Sequence, residues 1–166
     1  KFNFELIVVN DGSKDNTHNV LKQLTYKIQE LKVIALRKNY GQTAAMAAGF
    51  DNSIGDIVII MDGDLQNDPN DIPKLISEIN NGYDLICGWR FERKDKLVNR
   101  KIPSKIANKL IANVTGLKLH DYGCSLKAFR KEIIDDIKLY GELHRFLPVL
   151  ANIEGARIKE IKVNHR

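Results

Sequence analysis

The 166-residue chain has few of the features that mark membrane, disulfide-rich or zinc-binding proteins. Its cysteines, Cys87 and Cys124, have neither CxxC spacing nor a histidine at zinc spacing, which argues against a disulfide framework and a structural zinc site. No window reaches the roughly 18 consecutive apolar residues of a membrane span, and the start KFNFELIVVNDG lacks the layout of a signal peptide. With 43% hydrophobic residues, the sequence predicts one compact, soluble domain with reduced thiols in a cytosolic setting.

Several common nucleotide and cation motifs are also absent. Neither the GxGxxG pattern of dinucleotide-binding proteins nor the Walker A sequence of P-loop NTPases occurs. The acidic run MDGDLQNDP, residues 61–69, does not fit an EF-hand. Counting from Asp62 places Asn67 where the invariant glycine belongs and Pro73 where the bidentate glutamate belongs. Few aromatic residues are interleaved with the basic ones, so nucleic acid is not an expected partner.

Short apolar runs alternate with segments of helical periodicity. Strands are predicted at 4–9, 31–36, 56–62 and 83–89, with helices between them at 13–31, 42–53 and 71–82. The third strand has almost no polar alternation, as a parallel strand covered on both faces would have. This order predicts an open parallel α/β sheet. Further helices are predicted at 104–116, 126–139 and 144–155, and a final strand at 157–165.

Three polar loops follow the first three strands, at 10–17, 37–43 and 62–69. Because ligands of open α/β sheets bind at the carboxyl ends of the strands, we expect these loops to converge on one edge. In the third loop, Asp62 and Asp64 flank Gly63, which lets a ligand approach the backbone. Either the loop is a solvated turn, or the two carboxylates share a Mg²⁺ or Mn²⁺ ion with water and substrate phosphate.

Positive charge is concentrated between Arg90 and Lys109, where eight basic side chains face two acidic ones. This segment accounts for the whole formal charge of +5. It indicates either a solvated loop and polar helix face, or a landing site for phosphate or an anionic membrane surface.

Six motifs in one order resemble the family-2 glycosyltransferases of the GT-A fold: VVNDGSKDNT, NYGQTAAMAAG, MDGDLQNDP, GWRFER, DYGCSLKAFRK and GELHRFLP. The likeness is strongest to the polyisoprenyl-phosphate branch, with its dolichol-phosphate mannose synthase-like and undecaprenyl-phosphate glucosyltransferase-like enzymes. It implies an α/β, Rossmann-like GT-A catalytic domain over 1–166, with an open, mainly parallel sheet flanked by helices. The chain starts at what matches the family's second strand and ends before any C-terminal membrane helices, so we expect a piece of a longer enzyme.

The resemblance also implies roles for residues at matching positions. The nucleotide-sugar site would comprise Asp11, Gly12, Ser13, Asn39, Gly41, Gln42 and Asp62. A Mg²⁺ or Mn²⁺ ion would be held by Asp64 and Gln66, with Asp68 left as a turn residue. For the first two loops, a turn and helix-cap role is the simpler alternative and is compatible with binding.

On the acceptor side, the resemblance implies that Arg90, Arg100 and Ser104 hold the acceptor phosphate, with Arg93 as a substitute for Arg100. Asp121 completes the catalytic set with Asp62 and Asp64. It would orient a basic side chain or the acceptor if the acceptor is a lipid phosphate, and act as a general base if it is a hydroxyl. His144 and Arg145 would lie on the diphosphate or acceptor side, and a buried, hydrogen-bonded core histidine is the alternative for His144.

The implied function is inverting, metal-dependent transfer of a hexose from UDP or GDP to a polyisoprenyl phosphate, at the cytoplasmic face of the membrane in the full-length protein. The implied partners are the nucleotide sugar, the lipid phosphate and an anionic membrane surface, and a homo-oligomer stays open. A family-2 transferase acting on a hydroxyl of a glycan or other cell-envelope acceptor is the main alternative. A sugar nucleotidyltransferase and a non-catalytic membrane-surface module are the others.

Overall fold

A computed structural model of the chain describes residues 3–91 and 115–166. These residues belong to two compact units. The first comprises Lys1–Asp56 and Ile137–His144, and the second comprises Ile57–Asp136 and Arg145–Arg166. Most of the predicted helix at 104–116 lies outside the described residues, as do Arg93, Arg100 and Ser104.

The first unit is built from two strand–helix pairs: β1 (Leu6–Asn10), α1 (Thr17–Thr25), β2 (Leu31–Ala35) and α2 (Gln42–Asp51). β1 and β2 pair in parallel, as predicted, with Leu6 opposite Leu31 and Asn10 opposite Ala35. α1 is shorter than predicted at both ends, because bends and a turn occupy residues 14–16 and the helix ends at Thr25, before β2 begins at Leu31. The first residue of α1, Thr17, donates its N–H to Asp15 Oδ1 over 3.0 Å.

The second unit contains the other strands and helices found among the described residues. They are β3 (Ile57–Ile60), a 3₁₀ turn (Pro69–Asp71), α3 (Ile72–Asn80), β4 (Leu85–Arg90), β5 (Lys127–Arg130), α4 (Lys131–Asp136), α5 (Leu147–Ile153) and β6 (Ile158–Val163). A second 3₁₀ turn, Leu143–Phe146, precedes α5. The strands form a sheet in the order β3-β5-β4-β6. β4 and β6 are parallel, whereas β5 is antiparallel to both β3 and β4.

The predicted helix at 126–139 is wrong in its first part. Residues Lys127–Arg130 form β5, and the helix begins only at Lys131. β3 and β4 run in the same direction, as the intervening helix requires, but β5 lies between them. Periodicity cannot separate a short buried strand from a buried helical segment. Here the sheet decides, since β5 pairs with β3 on one side and with β4 on the other.

The core of the second unit lies between α3 and the sheet. Leu75 and Ile79 of α3 pack with Ile86, Leu126 and Val163. β4 and the segment before β5 approach so closely at Gly88 that a Cβ there would lie 2.9 Å from Cys124 Sγ and from Leu126 O. Both cysteines are buried and unbridged, and burial raises the pKa of the Cys87 thiol to about 12. Within the described ranges, no helix combines the length and hydropathy that crossing a bilayer requires.

Candidate active site

In the first unit, Asp11 ties the loop after β1 to the loop after β2. Its Oδ1 accepts the Tyr40 N–H over 2.7 Å, and its Oδ2 accepts the Gly41 N–H over 2.8 Å. Next to it, the buried Asn10 accepts the Ser13 N–H over 2.9 Å. The predicted convergence of the first two loops is therefore confirmed. A carboxylate oxygen can accept more than one hydrogen bond, so this clamp is compatible with the predicted contact to a nucleotide.

Two glycines make this loop arrangement sterically possible. Gly12 has a φ of +69°, and a Cβ on it would lie 2.3 Å from the carbonyl carbon of Lys38. Gly41 has a φ of +92° and stands directly before α2. Because L residues rarely adopt such angles, both positions favour glycine. Asn39 and Gln42 are exposed on either side of Gly41.

His144 also lies in the first unit, and its side chain is only 9% exposed. Its Nδ1 is 2.7 Å from Oγ1 of Thr43, a buried residue in the first turn of α2. This environment matches the alternative given for His144, a buried and hydrogen-bonded core histidine. Arg145 belongs to the second unit and is exposed.

The acidic loop of the second unit begins two residues after β3. Asp64 is exposed, and its Oδ1 accepts the Gln66 N–H over 3.0 Å. Leu65 between them has a φ of +65°, a conformation that is strained for a bulky residue, and such strained residues cluster at functional sites. A Cβ on Gly63 would meet no atom within 4 Å. The Asp64 side chain is thus exposed to solvent in a loop with room around Gly63.

The end of the described chain holds this loop in place. His165 pairs with Asn67 in an isolated β-bridge, and the Arg166 N–H donates to Gln66 O over 3.0 Å. Arg166 Nη2 also donates to Asp68 Oδ1 over 3.0 Å, and the same oxygen accepts the Asn70 N–H over 3.1 Å. Asp68 is therefore a turn and cap residue, as predicted. These two bonds, the one to Asn70 foremost, lower the pKa of Asp68.

Sequence reasoning missed His165. Its Nε2 is 3.2 Å from Gln66 Oε1, and its Nδ1 is buried without a hydrogen-bond partner among the residues described. The two residues are 99 positions apart, so no local pattern could have paired them. Asp64 and Gln66, the predicted metal ligands, carry oxygen atoms of the kind that Mg²⁺ or Mn²⁺ accepts. Among residues 3–91 and 115–166, no three His, Cys, Asp or Glu side chains are grouped so that they could hold a metal ion. Because Mg²⁺ is usually held by only one or two protein carboxylates, with water and substrate phosphate in its other positions, this finding is compatible with the predicted site.

Arg90, the last residue of β4, forms a bidentate ion pair with Asp121. Arg90 Nε donates to Asp121 Oδ2 over 2.7 Å, and Nη2 donates to Oδ1 over 2.9 Å. The side chains are only 13% and 14% exposed. Asp121 Oδ1 also accepts the Gly123 N–H over 3.1 Å. Of the two roles predicted for Asp121, this geometry matches the orientation of a basic side chain.

The acidic loop and the Asp121 loop are directly connected. Asn67 Nδ2 donates to Ser125 Oγ over 2.8 Å, and Asn67 is 5% exposed. This bond links the loop that carries the predicted metal ligands to a residue four positions after Asp121. Folding alone creates this link, because 58 residues separate its two partners.

The fold is that of a GT-A-type transferase domain. Glucosyl-3-phosphoglycerate synthase from Mycobacterium tuberculosis, solved with Mn²⁺ and UDP-glucose, superposes with a TM-score of 0.68 at 20% identity, over 98% of this chain and 60% of that one. The mannosyltransferase PcManGT from Pyrobaculum calidifontis, solved with GDP-mannose and Mn²⁺, superposes with a TM-score of 0.68 at 15% identity, over 95% and 45%. The predicted fold class is confirmed.

The chain belongs to glycosyl transferase family 2, whose sequence profile matches residues 1–138. The dodecaprenyl-phosphate galacturonate synthase of Rhizobium johnstonii is 51% identical over 98% of this chain and 49% of its own length. The undecaprenyl-phosphate 4-deoxy-4-formamido-L-arabinose transferase of Proteus mirabilis is 43% identical over 98% of this chain and 50% of its own length. The predicted family and its polyisoprenyl-phosphate branch are confirmed. The chain spans about half the length of these relatives.

Proposed function

We propose that the full-length protein transfers a sugar from a nucleoside diphosphate to a polyisoprenyl phosphate, with inversion at the sugar carbon and with the aid of a divalent metal. The names of two relatives at 51% and 43% identity contain a polyprenyl phosphate, dodecaprenyl phosphate in one and undecaprenyl phosphate in the other. The observation that carries the choice of acceptor is the Arg90–Asp121 pair.

That pair favours a phosphate acceptor over a hydroxyl. A hydroxyl must lose its proton during transfer and needs a general base. A phosphate monoester has a second pKa of about 6, so it is already largely ionised at neutral pH. Asp121 is engaged by the Arg90 guanidinium through two hydrogen bonds of 2.7 and 2.9 Å, which fix the orientation of both side chains. In this proposal, Asp121 orients Arg90, and Arg90 binds the acceptor phosphate.

On the donor side, the Asp11 clamp would shape the loop that receives the nucleotide, together with Gly12, Ser13, Asn39, Gly41 and Gln42. Asp62 would face the nucleotide sugar, and Asp64 and Gln66 would hold the metal, with His165 beside Gln66. When bound, the metal neutralises the charge that develops on the departing diphosphate. His144, buried against Thr43, would support the loop before α2.

The transfer is a single displacement. An oxygen of the acceptor phosphate forms a bond to the anomeric carbon as the bond from that carbon to the diphosphate oxygen breaks. The nucleoside diphosphate leaves with the bonding electron pair, and no proton needs to move. Attack from the face opposite the leaving group inverts the configuration. Arg90, with Arg100 and Ser104, would hold the attacking phosphate, and the basic segment would lie at the anionic membrane surface.

The test is transfer by the full-length protein from a panel of UDP- and GDP-sugars to undecaprenyl phosphate in the presence of Mn²⁺. We expect a glycolipid product with one of the donors, and loss of activity when the metal is chelated. Asp64→Ala should reduce turnover by about 10³-fold, as removal of one transition-state charge stabiliser does elsewhere. Asp68→Asn is the matched control in the same loop, since Asn keeps an oxygen for the Asn70 cap, and its turnover should stay near that of the wild type.

Transfer to a glycan hydroxyl, with none to any lipid phosphate, would refute the proposed acceptor. Equal activity of Asp64→Ala and the wild type would refute the assigned metal site.

A further inference from the structure

Glu160 on β6 is a mostly buried acidic residue to which the sequence gives no role. Its carboxylate faces the turn that carries Asp121 and uses both oxygens there. Oε1 accepts the Asp121 N–H over 2.8 Å, and Oε2 accepts the His120 N–H over 3.0 Å. His120 Nδ1 is 2.7 Å from the same Oε2, and the Glu160 side chain is 9% exposed. One carboxylate thus receives two consecutive backbone amides and a ring nitrogen.

The turn is also held from the side of β4. The His120 ring stacks on the Trp89 indole, with centroids 4.1 Å apart and planes 14° apart. Trp89 directly precedes Arg90, and Cys87 on the same strand lies opposite Glu160 in the parallel pairing of β4 with β6. The backbone of residues 120 and 121 is therefore fixed to both strands, just before the Asp121 side chain reaches Arg90.

These contacts form one chain of hydrogen bonds from Glu160 to the guanidinium of Arg90. Glu160 holds the Asp121 amide, and Asp121 places its two carboxylate oxygens on Arg90 Nε and Nη2. Charge-assisted bonds of this kind are directional, so they set an angle as well as a distance. The position of the Arg90 guanidinium then depends on a residue 70 positions away that does not contact it in the bonds described.

We propose that Glu160 is a positioning residue for acceptor binding, which acts through Asp121 to orient Arg90. The inference rests on the proposed function, in which Arg90 binds the acceptor phosphate. Glutamine at position 160 has nearly the same shape but only one accepting oxygen. Its amide group would face one of the two backbone N–H groups, so the turn would lose at least one of its bonds.

The kinetic test compares full-length wild type, Glu160→Gln and Glu78→Gln. Glu78 accepts from Lys159, the neighbour of Glu160 on β6, over 2.8 Å, so its substitution removes a carboxylate contact to the same strand away from the site. We expect Glu160→Gln to raise KM for undecaprenyl phosphate roughly tenfold, the effect of losing one well-made hydrogen bond. KM for the nucleotide sugar should stay within about twofold, and Glu78→Gln should match the wild type.

A second measurement reads the position of Arg90 without any turnover. The Nε–H signal of Arg90 in ¹⁵N-labelled protein is assigned by its loss in Arg90→Lys. In the wild type it should exchange slowly with water because Asp121 accepts it. In Glu160→Gln it should shift and exchange faster, and in Glu78→Gln it should not change. If Glu160→Gln fails to fold, Glu160→Asp, which is too short to reach both amides, takes its place.

The two readouts separate this inference from the proposed function. An unchanged Arg90 signal in Glu160→Gln overturns the positioning role, whatever the acceptor is. An equal rise in KM for donor and acceptor, or a fall in melting temperature with neither KM changed, also overturns it. If the Arg90 signal moves but the wild type transfers sugar to no lipid phosphate, the proposed function fails and the positioning of Arg90 stands.

Discussion

Replacing Asp121 with asparagine separates a residue that holds Arg90 from one that removes a proton. Asn is isosteric and still offers one oxygen, but its amide group would face one of the Arg90 donors, and the charge of Arg90 would lose its partner. In an exposed pair this loss costs about 0.2–1 kcal/mol, and in a fully buried pair about 3–5 kcal/mol.

The Arg90 and Asp121 side chains are 13% and 14% exposed, so the expected cost lies between these limits, at about 2 kcal/mol. For a domain of this size, that corresponds to a fall in melting temperature of roughly 4–8 °C. The same misplacement of Arg90 should raise KM for the lipid phosphate about tenfold or more. Because no proton is removed by Asp121 in this scheme, the pH–rate profile should keep its shape.

Asp84→Asn is a matched control at the other end of β4. Asp84 has the same 14% side-chain exposure and accepts from Arg157 Nε and Nη2 over 3.1 and 3.3 Å. It should lower the melting temperature without changing KM for the acceptor. The assays are thermal unfolding and steady-state kinetics between pH 5 and 9.

The opposite kinetic result would refute this reasoning. A general base contributes typically 10²–10⁴-fold to the rate. If Asp121→Asn loses about 10³-fold in kcat, keeps KM for the acceptor, and removes the acidic limb of the profile, then Asp121 is a base and the acceptor is a hydroxyl.

Three further predictions concern buried or strained positions. Gly12→Ala should destabilise the protein by at least about 2 kcal/mol in urea unfolding, because the position has a φ of +69° and a Cβ would overlap the Lys38 backbone. It should also weaken nucleotide-sugar binding. Gly63→Ala is the control, and its destabilisation should be small because a Cβ there would meet no atom within 4 Å. Asp71→Ala should cost about 3 kcal/mol in urea unfolding, because Asp71 has no exposed surface and accepts the Asn164 N–H over 2.7 Å; a loss below 1 kcal/mol would contradict this. The Cys87 thiol should resist alkylation in the native state even at pH 9. The folded pKa of this thiol is raised to about 12, whereas the unfolded value is about 8.5. The thiol therefore contributes its full stabilisation below about pH 8.5, and this stabilisation is lost as the pH rises towards 12. A Cys87→Ala variant should not show this loss of stability at high pH.

Local sequence was sufficient for features that depend on neighbouring residues. The strand–helix order of the first unit follows from apolar periodicity, and its parallel pairing is as predicted. The acidic loop was recognised because Asp62, Gly63 and Asp64 are adjacent, and Asp68 was separated from them by the proline that follows it. The six motifs led to the family because their order survives in the linear sequence.

β5 shows where local reasoning failed. KAFR directly precedes the helical residues KEIIDD, and its apolar residues suit either structure. Its place between β3 and β4 depends on backbone groups that are distant in sequence, so only the assembled sheet selects the strand.

The sequence by itself determined the family, the acidic loop and the candidate side chains, because each is encoded by residues within a few positions of one another. Only the tertiary structure decided what those side chains touch. Asp11 accepts hydrogen bonds from the Tyr40 and Gly41 amides, and His165 lies within hydrogen-bonding distance of Gln66. Glu160 accepts the amide of Asp121, whose side chain binds Arg90. A hydrogen bond forms only when its donor–acceptor distance lies within a few tenths of an ångström of about 3 Å. The groups in these bonds are 29 to 99 residues apart, so only the folded chain sets their distances.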